Sequence, residues 1–324
     1  VLDTHADYAL EVLGDMFFNS TFDEGELEKE KNVVLEEIKM YDDTPDDLVH
    51  DLLSKVMYET HPLGYPILGT EETLKSFNGD TLRQYMKDFY TPDQVVISIA
   101  GNIDESFIKR VEDLFGNYEG KKKDINFGIP TIHYGQIARK KETEQAHLCV
   151  GYRGLELGHS DLYPLIALNN ILGGSMSSRL FQDVREQKGL AYSVFSYHSA
   201  YQDSGTVAIY AGTGKSQLNQ LFETIQETLK VLNADGITEK ELNNCKEQLK
   251  GNLMLGLEST NSRMSRNGKN ELMLGNHRTL DEVIQLIDGV TIDRVNDIAK
   301  FVFTDDYAVS LVSPDGVIPT NIKQ

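Results

Sequence analysis

The sequence predicts an α+β protein built from two copies of one helix-rich module. Two internal matches and one pattern carry this. "FNGDTLRQYMKDFYTPDQVVI" (77–97) aligns without gaps with "VTIDRVNDIAKFVFTDDYAVS" (290–310), 213 positions later. "FDEGELEKEKNVV" (22–34) aligns with "ITEKELNNCKEQL" (237–249), 215 positions later. Strands and helices also occur in both halves with hairpin-like neighbours, which favours α+β layers over a fully parallel sheet.

In chain order, Leu2, Ala6, Leu10, Leu13 and Phe17 recur at helical spacing. That helix is under way at Val1 with no cap before it, so sequence upstream is expected. Asp23 and Thr238 stand as N-caps of the next repeated helix, with Glu26 and Glu241 three residues on completing capping boxes. The 77–97 and 290–310 pair reads as helix, turn, strand. "YEGKKKDINFGIP" has the glycines, proline and lysine triplet of a linker. The expected division is therefore 1–125, a linker at 126–140, and 141–324. Strands are expected at 94–100, 146–152, 191–198, 205–211 and 307–312, with a turn near Asp203–Gly205 joining two of them.

A chain of 324 residues can bury two cores. Its 51 acidic and 31 basic residues leave a net charge of −20. That balance argues against nucleic acid or an anionic membrane as partner and favours basic peptides. Two cysteines far apart, Cys149 and Cys245, fit a reducing compartment rather than a disulfide framework. No apolar run approaches the ~18 residues of a membrane span.

One helix carries a candidate for chemistry. In "EKEKNVVLEEIKMYDD" (28–43), Glu36 neighbours Asn32 and Lys39 and reads as a surface charge. Glu37 instead neighbours Val33, Val34, Met40 and Tyr41, and Glu30 lies seven residues earlier on nearly the same face. A carboxylate ringed by apolar groups is costly unless paired, and a metal is one such partner; the alternative is a packed stem with a snorkelling head. The second copy places Cys245 opposite Glu30 and Asn252 opposite Glu37. That asymmetry suits one working module and one supporting module.

Several apparent motifs fail. "YAGTGKSQ" (210–217) lacks the first glycine of a phosphate loop, because Ile209 stands there, and reads as a strand end and helix start. "GGSMS" (173–177) lacks the closing glycine of a nucleophile elbow. His61 reads as a turn residue and His147 as a structural one. "LGGSMSSRLFQDVREQKGLAYSVFS" (172–196) is more informative. Ser177 or Ser178 is expected to cap a helix with the apolar face Leu180, Phe181 and Val184, and Gly189 to end it. Arg185 lies in its last turn and Tyr192 opens the next strand. The two are either a cation at a helix C-terminus and an edge tyrosine, or two hydrogen-bond donors presented together to a carbonyl oxygen.

"EKEKNVVLEEIKMYDDTPDDLVHDLL", "HPLGYPILGTEETL", "YTPDQVVISIAGNID" and "GGSMSSRLFQDVREQKGLAYSV" together resemble the pitrilysin/insulinase family of zinc metallopeptidases, in its branch with mitochondrial processing peptidase and bacterial relatives. The resemblance spans essentially the whole chain. It implies two homologous domains, each a mainly antiparallel sheet flanked by helices. It also implies zinc, held by an H-x-x-E-H motif and a distal glutamate. Glu37 matches that metal ligand, Glu30 a glutamate supporting the site, and Arg185 and Tyr192 a substrate-binding pair from the non-catalytic domain. H-x-x-E-H itself is absent from the 324 residues and is expected upstream, so the chain alone is expected to be inactive. The expected function is zinc-dependent hydrolysis of extended peptides, basic ones favoured, by a homodimer in the bacterial cytoplasm, with an organellar location as the alternative. The rivals are a non-catalytic partner subunit of the same family and a metal-free peptide-binding module.

Overall fold

The computed structural model describes residues 1–322. Six helices come first: α1 (Ala6–Phe18), α2 (Glu24–Asp42), α3 (Pro45–Tyr58), α4 (Glu71–Ser76), α5 (Gly79–Phe89) and α6 (Glu105–Phe115). Strands β1 (Gln136–Lys140) and β2 (Ala146–Arg153), helix α7 (Leu162–Gly173) and a π-helical segment (Phe181–Gln187) follow. Next come β3 (Ala191–Ala200), β4 (Gly205–Thr213), α8 (Leu218–Asp235), α9 (Glu239–Gly256) and α10 (Thr260–Leu274). Helices α11 (Leu280–Asp288) and α12 (Ile292–Val302) and strand β5 (Ala308–Ser313) complete the chain. The α+β expectation is met.

The duplication is visible in the helix boundaries. Helices α2 and α9 open 215 positions apart, at Glu24 and Glu239, and α3 and α10 at the same offset, at Pro45 and Thr260. Helices α5 and α12 open and close 213 apart, at Gly79 and Ile292, then Phe89 and Val302. Local chemistry agrees. The Asn78 side chain accepts from Thr81 N–H, and that of Thr291 from Arg294 N–H. Thr238 and Glu241 form the expected capping box, with Glu241 N–H donating to Thr238 Oγ1 and Thr238 N–H to Glu241 Oε2. Its counterpart is only half made. Asp23 accepts from Glu26 N–H at 3.1 Å, but the Glu26 carboxylate turns to Lys29 at 2.6 Å. A nearby ammonium outcompetes a backbone amide there.

The chain forms two compact units that interleave along the sequence: Val1–Glu37, Gly69–Asn126 and Leu253–His277 in one, Ile38–Leu68, Phe127–Asn252 and Arg278–Gln324 in the other. The breaks within α2 and α9, after Glu37 and after Asn252, fall at equivalent positions of the two copies. The copies have thus exchanged equivalent segments, so that α3 of the first copy belongs to the unit of the second, and α10 of the second to that of the first.

The sheet-containing unit has strand order β1-β5-β2-β4-β3. Only β1–β5 is parallel, so the sheet is mainly antiparallel. Residues 136–140, within the linker expected at 126–140, form β1 instead, paired with β5. The four strands expected at 146–152, 191–198, 205–211 and 307–312 are present, and a Tyr201 N–H to Ser204 O bond of 2.8 Å closes the β3–β4 hairpin. Helices α7, α8 and α12 bury one face through Leu168, Leu172, Leu221, Ile225, Val295 and Ala299. Helix α3 covers the other, where Leu48, Val49, Leu52, Leu53 and Met57 meet Cys149, Ala208, Tyr210, Ala308 and Val312. With both faces covered, every residue of β4 and β5 is buried. Ser310 Oγ, on β5, donates to the Val49 carbonyl of α3 at 2.6 Å.

The other unit repeats this contact. Ser98 Oγ donates to the Met264 carbonyl of α10 at 2.7 Å, and Met264 lies 215 positions after Val49. Residues 94–100, expected as a strand, form no ladder among the described residues: Gln94 ends a 3-10 turn, Val95 is extended, and 96–100 carry no regular structure. An extended segment becomes a strand only beside a partner, and no described segment of this unit supplies one. Its core is aromatic. Phe17, Phe18, Phe115 and Tyr118 pack with ring centroids 4.9–5.6 Å apart, and a Cβ on Gly14 of α1 would lie 2.5 Å from Leu114 of α6. No helix among the described residues is long and apolar enough to cross a membrane.

The approach of α3 to the sheet depends on Gly151 of β2, where a Cβ would lie 2.6 Å from Met57 Sδ and 2.9 Å from Leu53 Cδ1. Gly151→Ala is expected to destabilise the protein by about 1–3 kcal/mol through overpacking, read as a lower urea midpoint with an unchanged slope.

Candidate peptide-binding site

The expected helix of 177–188 forms, but as a π-helical segment preceded by one α-helical step at Arg179–Leu180. It is not capped by serine side chains as expected. Ser177 Oγ bonds to Ser175 Oγ at 3.1 Å, and the buried Ser178 Oγ has no partner among the described residues. The segment is held from the side instead. Thr228 of α8 donates to Asp183 Oδ2 at 2.8 Å, Lys188 Nζ bonds Thr224 Oγ1 at 3.0 Å, and Val184 is fully buried. It ends as expected at Gly189, whose φ of +59° is a conformation open to glycine. Leu190 N–H then reaches back to the Val184 carbonyl at 2.9 Å.

Arg185 and Tyr192 meet at this corner. The guanidinium carbon lies 4.3 Å from the Tyr192 ring centroid and 4.7 Å from that of Phe181. Arg185 is therefore held between two rings, with one-third of its side chain exposed. Among the described residues its ionic partner is Glu186, at 3.8 Å, and none accepts a hydrogen bond from its N–H groups. Tyr192 is 76 % exposed. The corner thus presents a fixed cation and a phenol with donors to spare, a geometry suited to carbonyl or carboxylate oxygens. Sequence reasoning placed Phe181 only on the apolar face; its spacing of four from Arg185 was the available signal.

Six residues before Arg185, Arg179 does the opposite job. Its Nε and Nη2 donate to the two oxygens of Glu241 at 2.7 and 2.9 Å, and Nη2 also donates to the Gly236 carbonyl at 2.8 Å. Burial alone would raise the Glu241 pKa; the Arg179 fork and the Thr238 donors outweigh it and bring the carboxyl down to about 2.

Glu30 and Glu37 are both exposed on α2. Glu37 is open to water, as are two of its apolar neighbours, Val33 and Met40, at 51 % and 68 % exposed, while Val34 and Tyr41 are half-buried. Its carboxylate therefore keeps its hydration and has no ion pair or hydrogen bond among the described residues. No three His, Cys, Asp or Glu side chains gather as a metal site there. A zinc ion needs three protein ligands, so these residues do not by themselves fit one.

The remaining singled-out residues are structural. His147 is buried and its Nδ1 lies 2.9 Å from Tyr210 OH. His61 Nδ1 accepts from Leu63 N–H in the turn at Pro62–Gly64. The glycine-rich 210–217 segment is the end of β4 and the approach to α8, with Lys215 paired to Asp315 at 2.7 Å. Both cysteines are buried and free. His50 of α3 bonds Tyr197 OH at 2.6 Å within an aromatic cage, and burial pushes its pKa and that of His147 down.

The fold is thus a sheet covered on both faces, with a guanidinium and a phenol brought together at its β3 edge, and comparison with known proteins is specific. Residues 76–249 match the family model described as "Peptidase M16 inactive domain", and residues 1–71 that of "Insulinase (Peptidase family M16)". The chain belongs to the M16 peptidase family. It is 68% identical over 320 residues to the uncharacterized zinc protease YmxG of Bacillus subtilis, a match covering 99% of this chain and 78% of that protein. It is 36% identical to the uncharacterized zinc protease SCO5738 of Streptomyces coelicolor, covering 97% of this chain and 70% of that one. The fold is that of an M16 inactive domain from Pseudomonas fluorescens (TM-score 0.88, 20% identity, 97% of this chain and 76% of that one). It is also that of a protease from Helicobacter pylori (TM-score 0.87, 20% identity, 96% and 77%).

The Arg179–Glu241 pair has a pH signature. The Glu241 pKa is below its ordinary 4.5 in the folded state, so its contribution is complete above that value and is lost as pH falls toward about 2. Glu241→Gln is expected to lower stability at pH 7 and to flatten the fall between pH ~5 and ~2, measured as urea midpoints across that range.

Proposed function

We propose that this chain is the peptide-binding part of a zinc metalloendopeptidase that cleaves extended peptides. The observation that carries the proposal is the convergence of Arg185 and Tyr192, with unused donors, in a member of a peptidase family whose similar relatives are named zinc proteases. In this reading the guanidinium and the phenol donate to carbonyl oxygens of the bound peptide, fixing its path along the corner. Stacking between rings removes rotamer freedom from Arg185 before the peptide arrives, so less is lost on binding. The net charge of −20 suits basic peptides.

Glu37 is proposed as one metal ligand of the intact protein, with Glu30 supporting it. The other ligands are proposed to come from sequence beyond these residues. The 78% coverage of the 68% identical relative supports this. A homodimer is the proposed assembly.

In the intact protein, Arg185→Ala is expected to lower kcat/KM for a basic peptide by about 10- to 100-fold, the loss of a charged hydrogen bond, with zinc content unchanged. Loss of metal in that variant would assign Arg185 a structural role. Glu37→Gln should lose zinc and turnover together, while Glu36→Gln should keep both. Equal behaviour of the two glutamates would reject Glu37 as the ligand. Peptide affinity that persists in EDTA, with no turnover before its addition, would favour a binding module or a non-catalytic partner subunit.

A further inference from the structure

We infer that Phe181 is a positioning residue for peptide binding, the platform that holds the Arg185 guanidinium against Tyr192. The inference rests on the reading of Arg185 and Tyr192 as the peptide-binding pair and adds a third member to it. Three features of the corner support it. First, the guanidinium carbon is 4.7 Å from the Phe181 centroid and 4.3 Å from that of Tyr192, so two rings lie within cation–π distance of the one cation. Second, Phe181 and Arg185 are the first and fifth residues of a π-helical segment. An i→i+5 ladder widens the turn relative to an α-helix and redirects the side chains of its last residues. Third, the backbone on either side is fixed independently, by buried Val184 and Asp183–Thr228 on one side and Gly189 on the other.

A cation–π contact holds the guanidinium without accepting a hydrogen bond from its N–H groups. The N–H donors lie in the guanidinium plane, and stacking does not consume them. An ion pair with a well-placed carboxylate would hold Arg185 as firmly but would occupy those donors, which is the fate of Arg179 with Glu241. Glu186 at 3.8 Å is too distant for a hydrogen bond. Phe181 thus orients Arg185 without competing with the peptide. An aliphatic residue at 181 would fill similar space but offer no π face. Phe181 is half-buried rather than a core residue, so its substitution is expected to leave the fold intact.

The test compares Phe181→Leu with Phe181→Tyr by calorimetric titration of the chain with one unstructured basic peptide, alongside Arg185→Ala. Phe181→Leu is expected to weaken binding about three- to fivefold, the scale of one exposed cation–π contact, and Phe181→Tyr to restore it to within about twofold of the parent. A second readout is independent of peptide. The Arg185 Nε–H proton signal, identified by its loss in Arg185→Lys, should carry a ring-current shift that collapses in Phe181→Leu and survives in Phe181→Tyr. Equal affinities and an unmoved signal in Phe181→Leu would overturn the inference. So would a Phe181→Tyr variant as weak as Phe181→Leu, which would mark a packing role. If Arg185→Ala binds the peptide as the parent does, the peptide-binding reading fails and Phe181 loses its role in binding with it. A ring-current shift that still collapsed in Phe181→Leu would then show that Phe181 orients the guanidinium and that the failure lies with Arg185.

Discussion

The fold depends on covering the second face of a sheet. Strands β4 and β5 are apolar on both sides, and helices α7, α8 and α12 bury only one of them. Helix α3 supplies the other cover, and each of its large buried side chains contributes roughly 1.5–3 kcal/mol relative to exposure. The serine hydroxyl that reaches the Val49 carbonyl ties the two elements where the packing is closest. Because α3 belongs to the first sequence copy and the sheet to the second, that cover comes from a distant part of the chain. The matching bond from Ser98 to Met264 repeats the arrangement in reverse. Each unit is thereby completed by a helix of the other copy, and neither copy is a self-sufficient block.

The same sheet carries the Arg185–Tyr192 corner at its β3 edge. Two arginines six residues apart show how context assigns opposite roles to one side chain. Arg179 faces a carboxylate already held by the capping box of α9, and its donors are consumed in a bidentate pair. Arg185 faces rings, and its donors stay free. The first anchors the start of the π-helical segment to α9; the second presents a charge from its end. The rigidity of one supports the availability of the other.

Much of this was legible before the coordinates. The two offsets located equivalent helices because cap positions recur along the chain: α5 and α12 match at both ends, and α2 and α9 at their starts. Gly189 and the turn near Asp203–Gly205 were readable because positive φ and tight turns restrict residue choice locally. Arg185 and Tyr192 were legible as a pair with two meanings, and the structure brings the two side chains together. Other features were hidden. The half-made capping box at Asp23 depends on Lys29 competing for Glu26, and the missing serine caps depend on anchoring by α8. The unpaired 95–100 segment looks like a strand in sequence because apolar alternation does not say whether a partner stands beside it.

The sequence by itself determined several helices, four strands of the sheet, the duplication and the membership of an M16 peptidase family, since each rests on local spacing or on motifs contiguous in the chain. Tertiary structure alone decided which copy's helix covers which unit and that Phe181 joins the Arg185–Tyr192 pair. It also decided that Glu37 itself stands open to water. The reason is the same in each case: these are outcomes of competition between contacts distant in sequence, settled by burial and by which partner satisfies a donor or a face at the lower free energy.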